Sequence, residues 1–475
     1  MTGSRSALLA LADRCLFPGF AGRTPPPWVR RAAPGLGGVV LYGRNLRRDG
    51  DVARLAAELR ADADVLVAVD EEGGDVTRLH YRGGATTPGN HVLGRLDDPG
   101  LTAAVAAAIG AELAAAGVGF DLAPDVDVNV DPLNPVIGVR SFGADPDLVA
   151  RHGAAWVRGL QSRGVAACAK HFPGHGDTRV DSHHGLPVVG GDAARWRAAH
   201  LPPFAAAIAA GVRAVMTAHL VLPAVEPGVP ATLSRRLLTD VLRGELGFAG
   251  VVITDALDMG AIRDGVGAPA AAVAALAAGA DAICLGHEDA YRMYRTVRAA
   301  IADAAADGAL PRARLAEAAE RVAGLRGHPP GDPVPAASPA DLRAAARRAV
   351  LARGVAPLRA APVLVELRAG GNLAVGDVPW DLAGPLAELG LAPVRRLAYA
   401  GVVPPDDRPL VVLGRDVPRT RPADWAALRA ARPDAILVDV GLPRPDALAD
   451  PYVLVGGAAR PNLRAAAEVL AGRIT

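Results

Sequence analysis

The sequence predicts an α/β protein: a (β/α)8 TIM-type barrel followed by a small α/β sandwich-like C-terminal domain. Short apolar, β-rich runs alternate with helical stretches of Ala, Leu, Arg and Glu, which is typical of parallel strands joined by crossover helices. Eight such runs precede residue 290, the number that a barrel requires. An open doubly wound sheet is the alternative, but no GxGxxG turn follows the first run to favour it.

The eight candidate strands share a short apolar core, and several end in polar side chains. They span residues 15–20, 38–42, 65–70, 118–122, 165–171, 214–219, 251–255 and 281–285. Asp70, Lys170, His171, His219 and Asp255 stand at the carboxyl ends of four of them. In a barrel these ends meet on one face and carry the active site. We therefore expect the five side chains to converge.

A Pro-rich stretch divides the chain. Residues 327–340 predict a linker, residues 1–326 the barrel and residues 341–475 a small α/β domain. The latter is predicted to contain helices at 341–353 and 462–471 and strands at 362–367, 410–413, 435–440 and 452–455. It has no obvious catalytic cluster.

Composition limits the possible partners and compartment. Over 475 residues the net charge is +1 with both signs intermixed, which argues against a nucleic-acid groove or a polybasic membrane patch and favours small molecules. Cys15, Cys168 and Cys284 are far apart in apolar stretches, typical of buried thiols in a reducing compartment. No signal-peptide pattern and no 18-residue apolar span free of charges occurs. We expect a soluble cytoplasmic protein, and the sequence does not indicate an oligomeric state.

Lys170 is the chain's one lysine among 51 basic residues. A bias towards Arg and Ala is typical of GC-rich coding, so a retained lysine favours a position where the wide guanidinium does not fit. Lys170 opens residues 170–178, KHFPGHGDT, and Asp181-Ser182-His183 follows. A chance surface lysine is the alternative, but the gathering of His, Asp and Gly favours a functional segment.

Two carboxylates are candidates for catalysis. Asp255 ends an apolar strand, where a rigidly held carboxylate can serve as base, metal ligand or nucleophile. The alternative is a helix N-cap, for which Asp258 is better placed. Asp181 stands two residues before His183 and can orient its ring for proton transfer. Glycines at 174, 176 and 185 would let this loop move over a substrate, although a plain solvated loop is also possible.

We expect neither a metal nor an organic cofactor. His171 and His175 have the spacing of a helical zinc site, but Pro173 and Gly174 between them break a helix. Arg78 and Arg140 are candidate clamps for substrate hydroxyls or carbonyls.

At these motifs the chain resembles the family 3 glycoside hydrolases, in the β-N-acetylglucosaminidase branch. The principal match is KHFPGHGDT at 170–178 with DSH at 181–183. Supporting matches are GGVVLY at 37–42 with RN at 44–45, VD at 69–70 with EGG at 72–74, NPVIG at 134–138 with RSF at 140–142, MTAH at 216–219 and VITDAL at 252–257. The resemblance covers about residues 10–325 and extends weakly beyond.

The resemblance implies a retaining mechanism through a covalent glycosyl-enzyme. Asp255 matches the nucleophile, His183 the unusual general acid/base and Asp181 its dyad partner; most retaining glycosidases use a second carboxylate instead. Sugar contacts are implied for Asp70, Arg78, Arg140, Lys170 and His171, and more weakly for His219.

Two departures from the branch stand near the implied sugar contacts. Position 71 is Glu71 instead of the usual Gln, and Asp75 replaces a common Arg. Both acids are expected near the sugar, where they would alter the preferred aglycone or substituent. Glu366, in the C-terminal domain, is interpreted as structural rather than catalytic.

The predicted function is exo-acting release of β-linked GlcNAc, from muropeptide fragments in cell-wall peptidoglycan recycling. A neutral histidine base repels anions less than a carboxylate, so a GlcNAc phosphorylase is an alternative. A β-glycosidase of relaxed specificity is another. A non-catalytic sugar sensor or scaffold is the non-enzyme alternative, although it would need neither nucleophile nor dyad.

Overall fold

A computed structural model describes residues 2–61, 63–180, 185–368, 374–399, 407–444 and 448–474. The first strands are β1 Leu16–Pro18, β2 Val39–Val40, β3 Val67–Val69, β4 Phe120–Asp121, β5 Ala166–Phe172, β6 Ala214–Thr217, β7 Val251–Thr254 and β8 Ile283–Gly286. The helices among them are α1 Thr2–Cys15, α2 Pro27–Ala32, α3 Asp51–Arg60, α4 Asn90–Leu96, α5 Pro99–Ala115, α6 Pro146–Gln161, α7 Ala193–Ala209, α8 Gly260–Arg263, α9 Ala268–Ala278, α10 Ala290–Asp307 and α11 Arg312–Ala323, with a π-helical segment at Arg236–Glu245.

The described C-terminal part begins with α12 Pro339–Ala349. Its strands are β9 Leu351–Arg353, β10 Val363–Leu367, β11 Arg395–Ala398, β12 Leu410–Gly414, β13 Ile436–Asp439 and β14 Tyr452–Leu454, and its further helices are α13 Ala383–Glu388, α14 Val417–Thr420, α15 Pro422–Ala431 and α16 Arg460–Leu470.

The N-terminal strands form a parallel, curled sheet. Strands β2 to β7 pair in sequence order, and β1 pairs with β8. The Ile253–Ala282 bridge joins β7 to β8, and the amide of Gly38, just before β2, donates to Leu16 O of β1 at 3.3 Å. A strand overlaps each of the eight predicted runs.

Alternating strand residues face two different apolar clusters. Val40, Cys168 and Ile253 belong to a cluster built almost entirely from strand residues, which fills the inside of the curl. Their neighbours Val39 and Val252 pack in a larger cluster that includes the helices. Because both faces of the sheet are buried, the strands are continuous apolar runs. This pattern is why they could be predicted from the sequence.

Short polar residues mark where several helices begin. Asp98, Asp145 and Asp192 accept hydrogen bonds from backbone amides in the first turns of α5, α6 and α7, at 2.7 to 3.0 Å. Ser338 and Asp341 form a reciprocal capping box at α12. These caps satisfy amides that have no partner within the helix.

The C-terminal sheet has the strand order β11-β10-β12-β13-β14-β9, in which β9 alone is antiparallel. One face packs against α13 and α16, and the other packs against α14 and α15. The prediction of one helix over 341–353 is wrong at its end, because α12 stops at Ala349 and the chain then forms the edge strand β9. Strand β11 was not predicted.

Polar contacts join the loop after β3 to the C-terminal part. Asp75 is buried, pairs with Arg415 and accepts a hydrogen bond from the amide of Ala458 at 2.6 Å. The amide of Asp377 donates to the hydroxyl of Tyr81 at 2.9 Å. Within the described ranges, no helix combines the length and the apolar character needed to cross a bilayer.

Candidate active site

The carboxyl ends of the curled sheet surround a cavity of about 200 Å³. Six of the nine predicted site residues line it: Asp70, Arg78, Arg140, Lys170, His171 and Asp255. His219 does not line it. Asp181 and His183 lie outside the described residues.

Lys170 joins two acids at the floor of the cavity. Its Nζ lies 2.9 Å from Asp70 Oδ1 and 2.7 Å from Glu72 Oε1, and the residue is 2% exposed. Burial opposes the ammonium charge, but Asp70 and Glu72 outweigh it and raise the pKa of Lys170 above its ordinary value. Lys170 is therefore a fixed cation that holds two carboxylates.

Arg140 forms the second half of this network. Its Nε and Nη2 lie 2.9 and 2.7 Å from the two carboxylate oxygens of Glu72, a bidentate geometry that only a guanidinium provides. Burial alone would favour the neutral acid, yet Arg140 and Lys170 hold the pKa of Glu72 well below its usual range. Glu72 is thus the ion that fixes both cations in place.

Arg78 reaches the cavity with help from the C-terminal part. Its Nη2 lies 3.7 Å from Asp70 Oδ2 and donates to the carbonyl of Ala374 at 2.9 Å. The side chain is 5% exposed. The C-terminal part of the chain therefore helps to set the position of a residue in the cavity.

His171 is held as a neutral ring. Its Nδ1 lies 2.7 Å from Asp127 Oδ2, and burial lowers the pKa of His171 to about 4. The same burial raises the pKa of Asp127. With Nδ1 committed to Asp127, the other ring nitrogen remains for a ligand hydroxyl.

Asp125, Asp127 and His171 also form a set of potential metal ligands, with donor atoms within 4.8 Å of one another. However, Arg140 Nη2 lies 3.4 Å from Asp125 Oδ2, so a cation there would face a fixed positive charge. Burial, reinforced by Asp127, raises the pKa of Asp125 to about 7. The donor set suits a hydrogen-bonded network better than a metal ion.

Asp255 stands at the carboxyl end of β7, on the cavity wall. Its amide donates to Thr217 O of β6 at 3.2 Å, and its Oδ1 accepts from the amide of Ala256 at 2.8 Å. Thr254 beside it donates to Ala282 O at 3.0 Å. Neighbouring strands thus hold the backbone of this carboxylate on both sides.

His219 and Asp258 support the loop that follows Asp255. His219 is buried, with Nδ1 2.8 Å from Thr232 Oγ1 and Nε2 3.1 Å from the carbonyl of Ala256. Asp258 Oδ2 accepts from the amides of His287 and Glu288 at 2.8 and 3.1 Å. Asp258 therefore joins two loops and is not the N-cap that the sequence suggested, since α8 begins at Gly260 after Met259.

The first glycines of the 174–185 loop are needed for packing. A Cβ on Gly176 would lie 1.8 Å from the carbonyl of Val128, and Gly174 has φ +114°. The amide of His175 donates to Asp127 Oδ1 at 2.6 Å. The start of the loop, through Gly176, therefore packs closely against the barrel residues around Asp127 and Val128, and movement of the rest of the loop stays a prediction.

The acids at positions 71 and 75 lie away from the cavity lining. Glu71 Oε2 accepts from Thr77 Oγ1 and from the amides of Arg78 and Leu79, at 2.7 to 2.9 Å. Asp75 holds Arg415. Neither acid lines the cavity, although both act next to it: Glu71 holds the loop that carries Arg78, and Asp75 holds Arg415.

Other lining residues were missed as site candidates. They include Tyr42, His175, Met216 and Ala374. Glu72, which holds Lys170 and Arg140, belongs to the EGG motif shortly after β3, and Asp127 follows β4. Their positions near strand ends could therefore have identified both as site candidates. Ala374 had no such signal, because it lies in the C-terminal part of the chain, about 120 residues after Asp255.

Comparisons with known proteins identify the family to which the chain belongs. The model of the Glycosyl hydrolase family 3 N terminal domain matches residues 30–325. The chain is 34% identical to Beta-hexosaminidase A of Pseudoalteromonas piscicida over 372 residues, 70% of this chain and 62% of that protein. It is 38% identical to the Beta-hexosaminidase of Chromobacterium violaceum over 316 residues, 64% of this chain and 85% of that protein.

Among solved structures, the glycoside hydrolase family 3 beta-N-acetylglucosaminidase from Paenibacillus sp. str. FPU-7 has a TM-score of 0.87 at 33% identity, covering 98% of this chain and 97% of that one. The chain spans less than two thirds of the Pseudoalteromonas relative. The family match and these likenesses together show that the chain belongs to glycosyl hydrolase family 3, in the β-hexosaminidase branch, and is a glycoside hydrolase.

Proposed function

We propose that the protein is an exo-acting, retaining β-N-acetylglucosaminidase. The observation that carries the proposal is Asp255 on the wall of a cavity whose floor is the Asp70–Lys170–Glu72–Arg140 network. A carboxylate held on a strand end suits a nucleophile, and fixed charges suit recognition of a sugar's hydroxyls. A cavity of about 200 Å³ favours one terminal sugar unit.

In the first step the carboxylate of Asp255 attacks the anomeric carbon. The glycosidic bond breaks as protonated His183 gives its proton to the departing aglycone oxygen, and a glycosyl ester of Asp255 forms. In the second step neutral His183 takes a proton from water, whose oxygen attacks the anomeric carbon and frees Asp255. Asp181 orients the ring of His183, and two inversions retain the β configuration.

Sugar binding is assigned to Asp70, Arg78, Arg140, Lys170 and His171. Asp70 accepts from hydroxyls, while Lys170 and Arg78 hold Asp70 and donate. His171 contributes its second ring nitrogen. His219 acts indirectly, through its contact with the carbonyl of Ala256 next to Asp255.

The natural substrate proposed is a muropeptide with a terminal β-linked GlcNAc, in cytoplasmic peptidoglycan recycling. The free, buried thiols of Cys15, Cys168 and Cys284 support a reducing compartment. The relatives named β-hexosaminidase support the sugar.

We also propose that the curled sheet is a (β/α)8 barrel within residues 1–326, with a linker at 327–340 and a sandwich-like domain at 341–475. The sheet of each part has its own apolar cluster, which supports the division, while Leu342, Val375 and Val378 pack in the larger cluster of the N-terminal part. The linker region contacts the barrel: the amide of Gly331 donates to Gln161 O at 2.9 Å.

The first experiment compares nitrophenol release from aryl β-GlcNAc and aryl β-glucoside, each with and without inorganic phosphate. We expect strong preference for GlcNAc, independent of phosphate. Phosphate-dependent turnover that yields sugar 1-phosphate would make the protein a phosphorylase. Equal turnover of both sugars would indicate a relaxed β-glycosidase.

A second experiment tests the role of His183. The substitution His183→Ala should lower kcat about 10²- to 10⁴-fold on a poor leaving group such as a sugar. On an aryl glycoside with an acidic phenol the loss should be much smaller, because that leaving group departs without a proton. Equal losses on both substrates, measured by initial rates, would contradict the acid role.

A further inference from the structure

A second cleft opens beside the cavity, between the barrel and the C-terminal part. It has a volume of about 440 Å³ and shares Val136 and Arg140 with the cavity lining. The barrel contributes the segment 134–140, and the other wall includes Arg368, Trp380, Arg415 and Arg419. The cavity and the cleft therefore adjoin at Val136 and Arg140.

The cleft carries an excess of positive charge. Its described lining residues include four arginines against two acids, Asp377 and Asp416. The partners of Arg368 and Arg415 are Glu366 and Asp75, which are buried and do not line the cleft. The cations are thus at the surface of the cleft while these two counter-ions lie behind it.

The arginines are held in place before any ligand arrives. Arg368 Nε lies 3.0 Å from Glu366 Oε2, and Arg419 Nη2 lies 3.1 Å from Asp416 Oδ2. The guanidinium carbons of Arg415 and Arg368 lie 5.1 and 5.8 Å from the centre of the Trp380 ring. Fixed guanidinium groups lose little freedom on binding an anion.

The ring of Trp380 is already in contact with these two guanidinium groups, which leaves less of it for stacking against a sugar. Charge, rather than aromatic stacking, is therefore the main recognition element that this wall offers. A guanidinium binds a carboxylate through two parallel hydrogen bonds, which gives both strength and direction.

We propose that this cleft is the aglycone site and that Arg368, Arg415 and Arg419 select an aglycone that carries a carboxylate. The proposal rests on the proposed function, since it assumes that a terminal GlcNAc fills the cavity. It assigns a specificity role to the C-terminal domain, which has no catalytic residue among the predicted set.

The test compares two substrates that differ in one group. They are the disaccharide GlcNAc-β-1,4-MurNAc with its free lactyl carboxylate and the same disaccharide with that carboxylate converted to the primary amide. For the unmodified enzyme we expect kcat/KM to favour the acid. In R368Q and in R419Q the ratio of acid to amide should fall about fivefold, mainly through KM. R415Q is avoided because it would leave Asp75 buried without its partner.

The matched control is R396Q. Arg396 pairs with the same acid as Arg368, with Nε 2.6 Å from Glu366 Oε1, and the two side chains are 43% and 48% exposed. Arg396 does not line the cleft. Its substitution should leave the ratio unchanged.

The outcomes separate this proposal from the proposed function. Cleavage of aryl β-GlcNAc by the unmodified enzyme, with equal kcat/KM for acid and amide, would overturn the carboxylate site alone. An acid-to-amide ratio that falls as much in R396Q as in R368Q would overturn the carboxylate site as well. The effect would then come from the loss of a partner of Glu366, which both arginines share. Failure to cleave any β-GlcNAc substrate would overturn the proposed function itself.

Discussion

The substitution Asp255→Asn should reduce kcat by at least about 10⁴-fold on every substrate, including activated aryl glycosides. Asparagine keeps an oxygen that can accept the hydrogen bond from the amide of Ala256, which is 2.8 Å long in the unmodified protein. The conformation of the loop should therefore be retained. The substitution removes the negative charge that, in the proposed mechanism, attacks the anomeric carbon. The measurement is the initial rate at saturating substrate, with circular dichroism to show that the fold is intact.

The control for this prediction is Asp240→Asn. Asp240 is exposed and pairs with Arg235, and neither residue lines the cavity, so its loss should leave kcat unchanged. Calorimetry of GlcNAc binding to the Asp255 variant adds a second result. If Asp255→Asn keeps both its ligand affinity and its biological role, the protein is a sugar sensor. If the variant keeps kcat, the assignment of Asp255 as the nucleophile fails.

The second large effect is expected at Lys170. The substitution Lys170→Met leaves Asp70 with Arg78 at 3.7 Å and removes the cation that lies 2.7 Å from Glu72. Breaking a buried ion pair costs about 3–5 kcal/mol of unfolding free energy, and the lower end applies because Asp70 is 19% exposed. KM should also rise, since Asp70 loses its position. Urea unfolding and steady-state kinetics measure the two effects.

The substitution Lys170→Arg tests shape separately from charge. Arg140 Nη2 and Lys170 Nζ each lie 2.7 Å from the same oxygen of Glu72, so a second planar guanidinium has no room there. This variant should therefore lose both stability and activity although the charge is kept. The control Arg151→Met removes an exposed ion pair with Asp97 and should change neither. Native behaviour of Lys170→Arg would contradict the steric argument.

The strands could be predicted because burial on both faces makes each a continuous apolar run. Edge strand β9 was missed since its residues are half-buried or exposed and follow a helical pattern without a break. The residues of β11 likewise lack an apolar run.

Residues of the candidate site could be predicted where polar side chains follow directly on a strand. Asp70, Lys170, His171 and Asp255 were found in this way, and all line the cavity. His219 also stands at a strand end, but it is buried and does not line the cavity. A position at a strand end predicts the side of the sheet on which a residue lies, but not whether its side chain reaches the cavity. The contact of Ala374 with Arg78 depends on how the C-terminal part packs against the loop after β3, and no local sequence pattern predicts such a contact.

The solitary lysine has a practical consequence for chemical labelling. Because Lys170 is the one side-chain amine of this sequence and is 2% exposed, an acylating reagent meets no accessible lysine on the folded chain. Modification of that side chain requires its ion pairs with Asp70 and Glu72 to separate. The rate of acylation at Lys170 therefore measures local unfolding of this buried network.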